Sequence, residues 1–341
     1  MKYLSIIIIS IMSLSCWQTK EREIPETVQT LNVYTVDVFL NESFYHDILP
    51  VFSDIFNCNI ELTRFSSSFQ MLDHVRAESD SCKADILIGL DNTQYYSFYS
   101  DSLFASYEPT GINNLHSNLI FDKHNVITPI CYSNIGFNYN SNALGDPPLS
   151  FGEMQDGKYK EQIIIMDPRT SGLGRALLHW SISAFGISGY GHFWRSIKEN
   201  ILKCYENQDD AYNAFLAGEA PIILGFETTS LYHNDIEKSN KYRNTIPQEG
   251  TFKYIIGVSI LKSTEQEYLA KKLVDYLISP QFQEKIISGM WMLPANKKIK
   301  LPPEYEILPK AGKDLTNDLS VRQIRFQQNT WISKWQKIMI P

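Results

Sequence analysis

The stretch IIIMDPRTSGLGRALLHW, residues Ile163 to Trp180, decides the fold. Ile163 to Met166 form an apolar run that reads as a buried strand, and a helix is predicted from Leu173. A strand running almost directly into a helix is half of a β-α-β unit and places the chain in the α/β class. Two readings of the junction compete. Asp167, Pro168, Arg169 and Thr170 suit a turn, with Ser171 as helix cap. Alternatively, Ser171 and Gly172 sit where free amides and the positive end of a helix dipole gather, which suits an anion or a polar ligand atom.

The same alternation continues on either side. Before this stretch, LNVYTVDVFL, CNIELTRF and KADILIGLDN read as strands. Between them, NESFYHDILPVFSDIF and SFQMLDHVRAES show helical spacing, the latter with Met71, Leu72 and Val75 on one face. After it come a helix over GYGHFWRSIKENIL, a strand APIILGF, and a long returning strand TFKYIIGVSILKST. Thr264 with Glu267 fits a capping box for the helix EQEYLAKKLVDYLIS, and Pro280 fits the first turn of the next helix. VRQIRFQQNTWISKWQKIMI is a final amphipathic helix. The pattern predicts helices around a mostly parallel sheet. It also predicts two lobes joined by strands near 126–140 and 250–262, with a ligand cleft between them. The expected division is 31–126 and 255–300 for lobe 1, 127–254 for lobe 2, and 301–341 for a C-terminal helical segment.

Composition narrows the function. The 341 residues are 43% hydrophobic and 13% aromatic, enough for two sizeable cores, and the net charge of -7 argues against nucleic acid as a partner. Gly172-Leu173-Gly174 is followed by Leu177 where a dinucleotide fingerprint needs a small residue. The hydrolase elbow GxSxG is missing. The seven histidines show no metal-ligand spacing and the cysteines no CxxC pair, so no metal and no cofactor is expected.

Lys2 precedes an apolar run from Leu4 to Leu14, too short to cross a bilayer. SLSC, ending at Cys16, resembles a lipoprotein cleavage box. Residues 1–16 are therefore expected to be a signal peptide, Cys16 the lipidated terminus and 17–30 a tether. Cys58, Cys82, Cys131 and Cys204 remain, with no pairing implied by their spacing.

Two aromatic-bearing loops are predicted to face the cleft: GFETTSLYH, carrying Phe226, Glu227 and Tyr232, and SGMWMLPAN, carrying Trp291. Singly, such rings are more often core residues. With Asp91 and Ser171 they suit a flat cation, held by ring faces and balanced by a carboxylate.

The segments LNVYT, KADILIGLDN, MDPRTSGLGRALLHW, GFETTSLYH, MWMLPAN and WISKWQ resemble, in order, those of periplasmic thiamine-binding proteins, the receptors of bacterial ABC importers. The resemblance covers nearly the whole chain after residue 30. It implies a two-lobed type II periplasmic binding fold with thiamine or its phosphates between the lobes, and no enzymatic activity. It also implies a monomeric receptor in the periplasm, anchored to the membrane by its lipid and delivering ligand to a permease. Carried over by position, Ser171 and Gly172 contact the ligand, Phe226 replaces a family Tyr, and Tyr232 and Trp291 are the family's stacking residues. Asp91 belongs to the matching cleft loop. Val36 stands in place of a family Tyr, Ser67-Ser68 in place of Asp-Gly, and Gln208 in place of a stacking Trp; Phe44 lies near the position of a further missing Trp. Two other readings stay open. PICYSNIGF is similar to the nucleophile segment of thiaminase I, which would make Cys131 the nucleophile and Glu227 its base. A receptor of the same fold for another small cation is the other.

Overall fold

The computed structural model describes residues 28–36, 48–95, 102–309 and 312–340. The expected signal peptide with Cys16, most of the tether, Asp37 and Phe44 lie outside the described residues. The end of the tether does not: Gln29 and Thr30 already belong to the first strand.

Strand β1 (Gln29–Val36) pairs in parallel with β2 (Cys58–Phe65) and with β3 (Ile86–Asp91). Helix α1 (Leu49–Phe56) ends at Asn57, whose left-handed φ of 47° turns the chain into β2. Helix α2 (Ser68–Glu78) begins on Ser67, whose side chain accepts from Gln70 N at 3.2 Å, and buries Met71, Leu72 and Val75. Every residue of β3 is buried, as an inner strand covered on both faces requires.

The chain crosses to the second lobe on β4 (Thr128–Asn140) and returns on β9 (Phe252–Ile260). Between them lie β5 (Ile163–Met166), α3 (Gly172–Ile197), β6 (Ile201–Tyr205), α4 (Gln208–Ala217), β7 (Ile222–Phe226), α5 (Thr229–Asp235) and β8 (Tyr242–Thr245). After β9 come α6 (Glu267–Leu277), α7 (Pro280–Met290), β10 (Leu293–Pro294) and α8 (Val321–Met339). The strands share one sheet in the order β2-β1-β3-β9-β4-β7-β5-β6, with β8 and β10 pairing to β4.

The expectation of a mostly parallel sheet needs correction. Pairing is parallel at both ends but antiparallel across β3-β9-β4-β7. The cause is topological, since an outgoing strand and the strand that returns beside it run in opposite directions. Two of the predicted helices are one element, broken at Gly186 (φ 73°, ψ 169°), a conformation that favours glycine. The Thr264/Glu267 capping box does not form. Thr264 Oγ1 instead donates to Asp85 Oδ1 at 2.5 Å and accepts from Gln266 N at 3.0 Å, and α6 starts without a side-chain cap. Pro280 does occupy the first turn of α7, behind a Ser279 cap.

Aromatic side chains fill the second lobe. Phe151 meets Trp180 at 4.7 Å, and Trp194 meets Trp335 of α8 edge-on at 5.9 Å, so the C-terminal helix docks on α3. Trp180, Trp194, Trp331 and Trp335 are all fully buried, each removing a large apolar area from water. The four cysteines within the described residues are free thiols.

Candidate functional site

The 163–180 junction combines a closed turn with a cavity wall, at different residues. Asp167 and Arg169 close on each other, with Arg169 Nη2 at 2.6 Å from Asp167 Oδ2 and Arg169 N donating to Oδ1 at 2.8 Å. That is turn chemistry. Ser171 caps α3, accepting from Gly174 N at 3.3 Å, and with Thr170, Gly172 and Leu173 it lines a cavity. The rest of that wall is Val36, Ser66, Ser67, Ser68, Asn207, Gln208 and Tyr254. Three helices, α2, α3 and α4, therefore present their N-terminal ends here, capped by Ser67, Ser171 and Asn207. First-turn amides lack intrahelical acceptors, so the wall is rich in donors.

A second, larger cavity of about 240 Å³ adjoins it through Gln208, which lines both. Phe226, Tyr232 and Trp291 all line this one, together with Tyr212, Met290 and Met292. The rings come from both sides of the cleft: Phe226 ends β7, Tyr232 lies on α5, and Trp291 follows α7. Tyr232 stands edge-on to Trp291 at 5.9 Å. Behind that pair, Leu231, Ile287, Leu293 and Tyr305 form a small apolar core joining α5 to α7. Trp291 holds a left-handed φ of 51° at the end of α7, and β10 immediately afterwards pairs with β4, which anchors the turn to the crossing strand. The segment carrying Tyr232, predicted as a loop, is helical from Thr229.

Asp91 is placed differently from the expected lining role. It is fully buried and lies outside the described lining of both cavities. Its Oδ1 accepts from Thr93 N at 2.8 Å, and its Oδ2 accepts from Tyr254 Oη at 2.8 Å and Ser68 Oγ at 3.2 Å. Burial pushes its carboxyl above the usual range, while the Thr93 and Tyr254 donors and the nearby Arg175 pull it down. A Cβ on Gly172 would stand 2.2 Å from Tyr254 Oη and 2.8 Å from Asp91 Oδ2, so only glycine lets α3 approach so closely. Arg175, one turn along, lies over the Phe69 ring of α2 at 4.4 Å and donates to Pro168 O at 3.0 Å. Burial lowers its guanidinium to about 10.

Cys131 and Glu227 do not form the pair a thiaminase-like dyad requires. β4 and β9 pair in regular register from Cys131 to Ile135, so Cys131 and Ser133 face one side of β4 and Tyr132 and Asn134 the other. Glu227 belongs with the second side, accepting from Asn134 Nδ2 at 2.7 Å. Burial raises the Cys131 thiol far above its ordinary value, away from thiolate character. Burial also raises Glu227, to about 7.

Sequence reading missed Tyr212 and Gln208 as partners in the aromatic cavity. Against the family pattern Gln208 stands only as a departure, and the signal for Tyr212 is a ring on a short helix after an N-cap Asn.

A two-lobed chain with its cleft at the crossing strands is the architecture of a solute receptor. Residues 81–308 match the model of the bacterial extracellular solute-binding protein family, and the chain belongs to that family. It is similar to the thiamine-binding periplasmic protein of Salmonella typhimurium, with 29% identity over 309 residues covering 90% of this chain and 92% of the relative. The thiamine-binding periplasmic protein of Haemophilus influenzae is likewise 29% identical, over 314 residues covering 90% and 92%. A solved periplasmic thiamin binding protein superposes with a TM-score of 0.81 at 27% identity, over 93% of this chain and 98% of that one. The periplasmic binding protein AfuA from Actinobacillus pleuropneumoniae superposes with a TM-score of 0.78 at 19% identity, over 92% and 99%, a likeness of fold alone. The fold is that of the type II periplasmic binding proteins.

Proposed function

We propose that this chain is the substrate-binding component of an ABC importer that takes up thiamine or thiamine phosphates. One observation carries the reading: the cavity lined by Phe226, Tyr232 and Trp291 shares Gln208 as a lining residue with the cavity lined by three helix N-termini. Thiamine has matching ends. Its two flat rings, one of them a cation, suit aromatic faces. Its hydroxyl, or a phosphate on it, suits a cluster of amides and serine hydroxyls. The relatives named thiamine-binding over about nine-tenths of their length support the same ligand. Ligand binding between the lobes and closure on the two crossing strands follow the usual hinge mode of such receptors.

Titration calorimetry with thiamine, its mono- and diphosphate and pyrithiamine tests the reading. Micromolar binding of any of them, about -8 kcal/mol, gives a clear heat. No heat up to millimolar ligand from folded protein overturns it. The receptor acts without turnover, so protein incubated with thiamine and an amine nucleophile releases no thiazole; release that disappears in Cys131→Ser favours the enzyme. The receptor works as an exported monomer, tethered through lipidated Cys16 and serving a membrane permease. Lipid labelling of wild type, but not of Cys16→Ala, checks the anchor.

A further inference from the structure

The aromatic cavity has a feature that the stacking residues do not explain. Tyr212 of α4 lines it, and its hydroxyl is 2.5 Å from His233 Nε2. The other ring nitrogen of His233 is 2.7 Å from Glu237 Oε2. His233 is fully buried, with the Tyr212, Tyr232 and Tyr242 rings around it, the last at 4.4 Å. Glu237, in contrast, reaches the surface with its side chain 42% exposed.

With a neutral imidazole, this order gives every hydrogen bond one direction. The Glu237 carboxylate only accepts, so His233 Nδ1 carries a proton and donates. With that proton on Nδ1, the neutral imidazole offers a lone pair at Nε2. The Tyr212 hydroxyl must then donate to Nε2. Its single proton is committed away from the cavity, and its oxygen keeps only acceptor capacity for whatever lies beside it. Without Glu237 the imidazole is free to take the other tautomer, and the Tyr212 hydroxyl is free to turn.

We propose that Tyr212, set by His233 and Glu237, is a specificity-determining hydrogen-bond acceptor that selects ligands presenting an amino group to the aromatic cavity. The proposal rests on the thiamine reading above and deepens it. The amino group is the exocyclic one of the aminopyrimidine ring, so that ring occupies the aromatic cavity. The alcohol or phosphate end then points past Gln208 to the helix termini. A ligand with a carbonyl oxygen in place of the amino group would set acceptor against acceptor, and a site built to receive an N–H rejects such an analogue.

The test compares thiamine with oxythiamine, its 4-oxo analogue, by calorimetry on the full-length protein. Wild type is expected to prefer thiamine about tenfold or more. Tyr212→Phe is expected to weaken thiamine, leave oxythiamine nearly unchanged and bring the ratio close to one. Glu237→Ala, a change at the surface, should lower the ratio while thermal unfolding stays as in wild type, a result that simple loss of packing does not give. Nitrogen NMR of His233 should report Nδ1 protonated and Nε2 bare. Equal binding of both ligands to wild type, or a preference for oxythiamine, overturns the proposal and leaves the function standing. A protonated Nε2 overturns it as well. Binding of neither ligand is instead the failure of the thiamine reading itself.

Discussion

Glu227 gives the sharpest quantitative test of how the cavity wall is built. It sits between two lining residues, Phe226 and Thr228, yet it is 2% exposed, with its carboxyl turned to Asn134. Burial raises it from 4.5 to about 7, against the opposing pull of Asn134 and the charge of Lys253. The sign follows from linkage. In the unfolded chain the carboxyl ionises near 4.5, whereas in the folded protein it holds its proton until about 7. Across that window the folded state binds more protons, so this group's contribution to stability falls as pH rises and is fully lost above pH 7. The gap corresponds to at most about 3 kcal/mol. Glu227→Gln removes the titration and keeps an acceptor for Asn134 Nδ2. Urea unfolding of wild type and variant at pH 4.5, 6 and 8 isolates the term, because the remaining groups titrate alike in both. The variant should match wild type at the lowest pH and exceed it by up to about 3 kcal/mol at pH 8. A difference constant over the range would mean that Glu227 is never buried with its proton, and the reasoning fails. Thiamine affinity should not change, since this side chain faces away from the cavity.

Trp291→Ala should weaken thiamine by about 1–3 kcal/mol in calorimetry, because it removes a ring face and its edge contact with Tyr232; unchanged affinity would place the ligand elsewhere. Gly172→Ala drives a methyl into Tyr254 Oη and Asp91 Oδ2, so ligand affinity should drop about tenfold or more while thermal unfolding moves less than a core lesion would move it. Wild-type affinity in this variant would show that the close approach of α3 is dispensable. Gln208→Trp puts a ring where both cavities meet and should tighten thiamine by about 0.5–1.5 kcal/mol, read as a slower dissociation rate.

Much of the architecture was legible because it is local. Period-two alternation marks β2 and period-3.6 spacing marks α2, while β4 and β9, buried almost throughout, show as long runs of β-type residues. Ser171, Phe226, Tyr232 and Trp291 were assigned to the cleft, and they line the paired cavities. What failed was not local. The antiparallel centre of the sheet depends on where the chain returns, and the spacing of apolar residues does not carry that. Asp91 looked like a ligand carboxylate because its fate depends on Ser68 and Tyr254, 23 and 163 residues away. Tyr212 acquires meaning only when His233 reaches it from another helix. Among the departures from the family pattern within the described residues, Val36 and Ser67-Ser68 line the helix-terminus cavity, Gln208 lines both cavities and Phe226 lines the aromatic one. The departures therefore touch both ends of the ligand site, while the aromatic end keeps Tyr232 and Trp291.

The charges of the cleft have a common logic. A carboxylate facing the ligand would attract a cation, but it would also need solvation whenever the cleft stands empty. Here the charged groups are withdrawn behind the walls. Asp91 is satisfied by Thr93, Ser68 and Tyr254 and feels Arg175, while Arg175 lies against Phe69 across the cleft. Glu227 keeps its proton to about 7, and Lys253 is paired with Asp314. The surface left to the ligand is therefore rings, hydroxyls, amides and thioethers. Such a wall binds a flat cation through ring quadrupoles and shape rather than through an ion pair, at a smaller desolvation cost for opening and closing. Selectivity must then come from the few groups whose hydrogen-bond direction is fixed. That gives a buried imidazole, held between a cavity-lining tyrosine and a surface carboxylate, more influence over ligand choice than any charge in the cleft.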